Sequence, residues 1–261
     1  DLACVRQAEV VVISIGSQGL QGLMDQLRPL ALKNKIFVLC RKGLEQGTGR
    51  RLSQIAEENL DPSNAVAVWL GPGHVQEFYR GIPNCMVIDS RREDVKRRLV
   101  QSFSSDLIRF YYGDDLIGNE VGAAAKNVVG IAAGFLDGKG LSSLKGALMS
   151  RGTREVARLI QAMGGSQLSA YGLCHLGDYE ATVFSRYSHN RQFGESFIRG
   201  ETYTDLAEGY YTVEALVLLG QRYGVELPIC QAVHRILYCG ADPMQELRAL
   251  LERNLTREFG E

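Results

Sequence analysis

The sequence is short of the residues that build several familiar sites. Its four histidines (His74, His175, His189, His234) show no metal-ligand spacing, and its six cysteines (Cys4, Cys40, Cys85, Cys174, Cys230, Cys239) contain no C-x-x-C pair. A zinc site and a disulfide framework are therefore excluded as organising features, and free, mostly buried thiols in a reducing cytoplasm are expected. Charge of either sign is not in excess: 29 Lys and Arg meet 30 Asp and Glu, a net of −1, so no polyanion-binding surface is implied and nucleic acid is a poor partner. Long apolar runs are lacking as well. The best candidate, Val121 to Leu136, is broken by Lys126-Asn127 and falls short of the ~20 residues that a membrane span needs. No signal peptide is visible. Finally, there is no G-x-G-x-x-G: Gly71-Pro72-Gly73 lacks the third glycine and Gly47-Thr48-Gly49 follows no strand directly.

What is present divides into two textures. With 45% hydrophobic residues the chain can bury a real core, as one or two domains. Up to Tyr112 strand-like runs (the β-branched Glu9–Ile15, then Lys35–Cys40, Ala65–Leu70, Cys85–Asp89 and Ile108–Tyr112) alternate with helical patterns (Gln18–Arg28, Arg51–Asn59, Arg91–Phe103). That alternation predicts βαβ units, a Rossmann-like parallel sheet covered by helices. After Gly113-Asp114-Asp115 only helical periodicity remains: Leu116–Leu136, Leu141–Met163, Ser188–Arg199, Thr212–Tyr223, Pro228–Tyr238 and Pro243–Asn254. Pro228 and Pro243 suit first helical positions, and Asp242 with Gln245 makes a capping-box pattern. An α/β domain over residues 1–113 and an all-α domain over residues 114–261 are expected. The chain opens Asp1-Leu2 without Met and enters a strand by Glu9, so a longer parent chain is expected, with an incomplete first domain.

The stretch Gly118 to Gly134 organises the helical part. Gly118, Gly122, Lys126, Gly130 and Gly134 recur every fourth residue and form one stripe on a helix. Each helix-interior glycine costs about 1 kcal/mol relative to alanine, so something must need that face flat, a close-packed helix or a ligand. A lysine there is either a snorkelling core residue or a proton-transfer group with a lowered pKa, since burial disfavours an ammonium. Ligands of open α/β sheets bind beyond the carboxyl ends of strands. Gly16-Ser17-Gln18, Arg41-Lys42-Gly43-Leu44-Glu45 and Gly71-Pro72-Gly73-His74 occupy such ends, although turn chemistry alone accounts for each. Asp178, in His175-Leu176-Gly177-Asp178, can cap a helix or pair with Lys126. Ser188 with Asn190 and Arg191 reads as a phosphate seat at a helix start, or equally as an N-cap beside a surface arginine.

Taken in order, Lys42-Gly43-Leu44-Glu45, Gly71-Pro72-Gly73, Gly122…Lys126-Asn127-Val128, Arg151-Gly152, Leu176-Gly177-Asp178, Ser188…Asn190-Arg191-Gln192-Phe193-Gly194 and Glu208-Gly209 resemble the NAD(P)-dependent glycerol-3-phosphate dehydrogenase family. The similarity extends to Gly224-Val225-Glu226-Leu227-Pro228-Ile229. It implies a cofactor domain joined to a helical substrate domain, NAD or NADP as cofactor, and interconversion of dihydroxyacetone phosphate and glycerol 3-phosphate for glycerophospholipid synthesis. It also implies a small phosphate-bearing substrate, a cytoplasmic location and a homodimer. Within that resemblance Lys126 is the general acid/base at the C2 oxygen, with Lys42 and Asp178 as its catalytic partners. Lys42, Gly71, Gly73, Asp178, Ser188, His189, Asn190 and Arg191 meet substrate. Ser17, Lys42, Val75, His189, Leu206 and Glu208 meet cofactor, and no metal is implied.

Three departures from the family pattern stand out. The Gly-rich loop is expected ahead of Asp1, so residues 1–261 alone should bind NAD(P)H poorly. The usual Ser-Arg-Asn-Arg is Ser188-His189-Asn190-Arg191, which exchanges a permanent charge for a pH-dependent one. The usual Gly-Pro-Ser/Thr is Gly71-Pro72-Gly73, one hydroxyl fewer. Two other readings are a member of the wider 3-hydroxyacid and 6-phosphogluconate dehydrogenase-like group, and a degenerate, non-catalytic homologue that self-associates.

Overall fold

The computed structural model describes residues 2–73, 75–253 and 258 of the chain. Five strands, β1 (Val10–Ile13), β2 (Ile36–Leu39), β3 (Ala65–Leu70), β4 (Asn84–Ser90) and β5 (Ile108–Tyr112), lie side by side in sequence order. Helices α1 (Leu20–Leu27), α2 (Leu52–Asn59), the single turn α3 (Val75–Phe78) and α4 (Glu93–Phe103) connect them. The central strands β2 and β3 are apolar on both faces because both faces are covered, while the edge strands leave Val12, Tyr111 and Tyr112 exposed. Phe37, Leu39, Val66 and Val68 pack with Leu20, Met24 and Leu27 of α1 and Leu52 and Ile55 of α2. Val38, Ala65, Ala67 and Ile88 pack on the other side with Val95 and Leu99 of α4.

The expectation of a parallel sheet needs one correction. β1, β2 and β3 are mutually parallel and β4 is parallel to β5, but β4 runs antiparallel to β3. A parallel return over a six-residue strand covers about 20 Å, which takes a helix of about thirteen residues at 1.5 Å each. The connection between β3 and β4 offers only the four residues of α3, and the chain turns back instead.

The helical part is built around α5 (Leu116–Gly138), which is buried almost end to end. α6 (Lys145–Ala162), α7 (His189–Arg199), α8 (Glu208–Tyr223), α9 (Pro228–Cys239) and α10 (Pro243–Leu251) surround it. Val121, Ala125, Val128 and Ile131 of α5 meet Val156 and Leu159 of α6, Val213 and Leu216 of α8, and Val233 of α9. Asp242 caps α10, accepting a hydrogen bond from Gln245 N at 2.8 Å. The helix ends at Leu251, short of the expected Asn254, which itself lies outside the described residues, as does His74.

The glycine stripe serves helix packing. A Cβ on Gly134 would come within 2.7 Å of Glu195 N, and one on Gly130 within 2.8 Å of Thr182 Cγ2, so α5 touches α7 and the segment before it nearly backbone to backbone. The two parts are joined by a buried ion pair at the foot of α2: Arg51 Nη1 meets Glu120 Oε2 of α5 at 2.5 Å, while Ser53 N donates to Glu120 Oε1 at 2.8 Å.

Candidate functional site

Lys126 sits midway along α5 with its ammonium buried. Its Nζ donates to Thr182 Oγ1 at 2.6 Å and pairs with Asp178 Oδ2 at 3.0 Å. Burial outweighs the attraction of Asp178, and the nearby Lys42 charge adds to the effect, lowering Lys126 from 10.5 to about 8. Lys42, just past the end of β2, reaches the same carboxylate oxygen at 2.6 Å and also donates to Gly71 O at 2.6 Å. Two lysines, one from each part of the chain, thus share one oxygen of Asp178. The other oxygen, Oδ1, is buried and has no hydrogen-bond partner among the described residues, which leaves an acceptor for a ligand donor.

Asp178 and Thr182 are carried by two short irregular elements, a 3₁₀ turn (Leu176–Asp178) followed by a π-helical turn (Glu180–Phe184). π turns often mark sites, because the extra residue re-aims a side chain. A polar chain holds these turns on α5. His175 is fully buried; its Nδ1 lies 2.8 Å from Gly122 O and its Nε2 2.7 Å from Tyr179 Oη. Burial pushes His175 down from 6.5 to about 4, so the ring is neutral, donating from Nδ1 and accepting at Nε2. Gly122 is one turn before Lys126, so this clamp fixes the lysine and its carboxylate relative to each other.

A second group lies where α8 meets the loop after β1. Glu208 Oε1 accepts from Ser17 N at 3.0 Å, and Oε2 accepts from Ser17 Oγ. Gly43 closes over them, since a Cβ there would approach Ser17 Cβ at 2.7 Å. Leu206 is half exposed beside Gly16, and Val75 stands exposed at the start of α3. Asn190 Oδ1 accepts from Gly209 N at 2.8 Å, and Asn127 Nδ2 donates to Lys42 O at 2.8 Å, knitting α5, α7 and α8 to the strand-end loop.

The expected phosphate seat at the start of α7 looks different in the structure. Ser188 is the N-cap, accepting from Arg191 N at 3.3 Å. Arg191 is not a surface residue: its Nη1 meets Asp137 at 2.9 Å and Glu195 at 2.8 Å, and its Nε donates to Ser185 O at 3.2 Å. His189 is exposed, with Nδ1 2.7 Å from Tyr203 Oη and 3.8 Å from Asp205 Oδ2. Gly71 is buried with φ +128° and Gly73 has φ +143°, conformations that favour glycine at this turn. The cysteines are less buried than expected: Cys174 and Cys230 are buried, Cys40 and Cys85 intermediate, Cys4 and Cys239 exposed, all unpaired.

Among the described residues, no three His, Cys, Asp or Glu side chains gather as a metal ion would require, and no helix is long and apolar enough to cross a membrane. A cavity of about 1300 Å³ between α5, α6, α9 and α10 is lined by none of Lys42, Lys126 and Asp178.

Comparison with known proteins places this geometry. Residues 1–96 match the family model for the N-terminus of NAD-dependent glycerol-3-phosphate dehydrogenase, and residues 115–248 match the model for its C-terminus. The chain belongs to this family. A glycerol-3-phosphate dehydrogenase [NAD(P)+] from Chlorobium limicola is 34% identical over 97% of the chain and 79% of its own length. One from Thermus thermophilus is 38% identical over 96% of the chain and 78% of its own length. A crystal structure of glycerol-3-phosphate dehydrogenase from Coxiella burnetii, 30% identical, superposes with a TM-score of 0.90 over 97% of this chain and 80% of that one.

Thr182, His175 and Tyr179 were not legible as site residues in the sequence. Thr182 alone left a trace, standing one helical turn after Asp178.

Proposed function

We propose that this chain interconverts dihydroxyacetone phosphate and glycerol 3-phosphate, with Lys126 as the general acid/base. The observation that carries this is a buried ammonium, lowered to about 8 and held by Thr182 and Asp178. Hydride addition to a ketone builds negative charge on oxygen, and a fixed ammonium in a dry site both stabilises that charge and protonates it. Lys42 holds Asp178 Oδ2 in place, and the open Asp178 Oδ1 accepts from a substrate hydroxyl.

The residues present fit the nicotinamide end of NAD or NADP. Ser17, Glu208 and Leu206 meet where Gly43 leaves no room for a side chain, and Lys42 stands on the loop after β2, Val75 and His189 at the starts of α3 and α7. Bound there, the cofactor supplies or accepts the hydride. Substrate would meet Lys42, Gly71, Gly73, Asp178, His189 and Asn190, while Ser188 and Arg191 support the segment that carries them. A boundary between the cofactor and substrate domains at residues 113–114, a cytoplasmic location suited to six free thiols, and a homodimer complete the proposal. Sedimentation detects the homodimer; a monomer-sized particle would remove it.

Lys126→Met should lower turnover at least ~100-fold, the scale of a general acid, with little change in NADH affinity. A variant that keeps more than half of the wild-type turnover would take Lys126 out of the mechanism.

A further inference from the structure

With Arg191 committed to Asp137 and Glu195, the counter-charge for a phosphoryl group must come from elsewhere. Two guanidinium groups meet this need. Arg80 follows α3 on the connection that begins at Gly71, whose carbonyl holds Lys42. Arg186 follows the π-helical turn that carries Thr182. Each segment thus runs from a catalytic contact to an arginine.

The two side chains, one from the α/β part and one from the helical part, converge on a single atom. Arg80 Nη2 donates to Tyr187 Oη at 3.3 Å and Arg186 Nη2 donates to it at 2.8 Å. Arg186 also stacks 5.0 Å over the Tyr187 ring, and Arg80 Nε is fixed by Gln76 O at 3.1 Å. Among the described residues neither guanidinium has a carboxylate partner. Two like charges drawn to one neutral oxygen repel each other, and a dianion between them would turn that repulsion into two charge-assisted hydrogen bonds. The hydrogen bond from Arg186 already holds the Tyr187 phenol below its usual range, which shows a positive local field. Both arginines are exposed, so a solute can reach them.

We propose that Arg80 and Arg186, spaced by Tyr187, anchor the substrate's phosphoryl group and draw the two parts of the chain together around it. This rests on the reading of the site as one for a triose phosphate. A permanently charged, planar pair also stands in for the guanidinium that His189 replaces in the family pattern.

The test is calorimetric titration of the whole chain with inorganic phosphate, and separately with glycerol 3-phosphate. Arg80→Gln and Arg186→Gln should each weaken phosphate binding about tenfold, and the double variant should lose it. Arg91→Gln, which removes an equal charge from the Glu57 ion pair on the far surface, should leave the affinity unchanged. A double variant that binds phosphate like the wild type, or an Arg91 variant that loses as much, overturns the anchor. Arginine-dependent phosphate binding with glycerol 3-phosphate bound no more tightly would keep the anchor and remove the triose reading.

Discussion

Lys42 and Lys126 reach the same oxygen of Asp178 from the two parts of the molecule, and their settings differ. Lys42 comes off a strand-end loop, its side chain 22% exposed, and its second partner is a backbone carbonyl. Lys126 projects from the middle of a fully packed helix, 8% exposed, with a hydroxyl as second partner. The α/β part thus offers a lysine on a partly open strand-end loop. The helical part offers a rigid floor in which desolvation alters chemistry. One carboxylate between two lysines keeps the cluster positive, which suits a developing oxyanion.

The contrast can be broken at the seam. Glu120→Gln leaves Arg51 buried without a counter-charge, and the expected loss of stability is about 3–5 kcal/mol in urea denaturation. A loss below about 1 kcal/mol would mean that the two parts are not held together there.

The His175 clamp is expected to act through pH. Its folded value of about 4 lies below the unfolded 6.5, so the neutral ring contributes stability above about 6.5, and that contribution is lost as pH falls toward about 4. At 1.36 kcal/mol per unit the loss is up to roughly 3 kcal/mol. His175→Gln should flatten this acid limb of the melting temperature; an unchanged limb would assign it to other groups.

Glycines sharpen the comparison at smaller scale. Gly134→Ala, with Glu195 N at 2.7 Å from the added carbon, should destabilise by about 1–3 kcal/mol. Gly146→Ala on α6, with nothing within 4 Å, should stabilise by about 0.5–1 kcal/mol. Equal melting temperatures for the two variants would deny the close contact of α5 and α7.

Much of this was legible in the sequence, for identifiable reasons. Apolar runs marked β2 and β3 because both of their faces are buried, and the glycine stripe marked α5 because backbone contact tolerates no side chain. Lys126 stood out as a charge in an apolar helix, where charge is costly, whereas Lys42 and Asp178 gained their roles from the family resemblance. The reversal of β4 was not legible, because it depends on how little helix the connection after Leu70 forms. The role of Arg191 was hidden too. Its partners Asp137 and Glu195 sit on two helices whose approach only the fold reveals, and the meeting of Arg80 with Arg186 has the same origin.

Proton exchange with substrate requires Lys126 to lose its proton within reach of neutrality. Titration of the chain labelled with ¹⁵N-lysine, the Lys126 ammonium assigned by its absence in Lys126→Met, measures this directly. A midpoint near 8 is expected, with the ammonium available for ketone reduction below that pH and the free amine for alcohol oxidation above it. A midpoint near the ordinary 10.5 would contradict the account, since burial would then not have prepared Lys126 to exchange a proton with substrate.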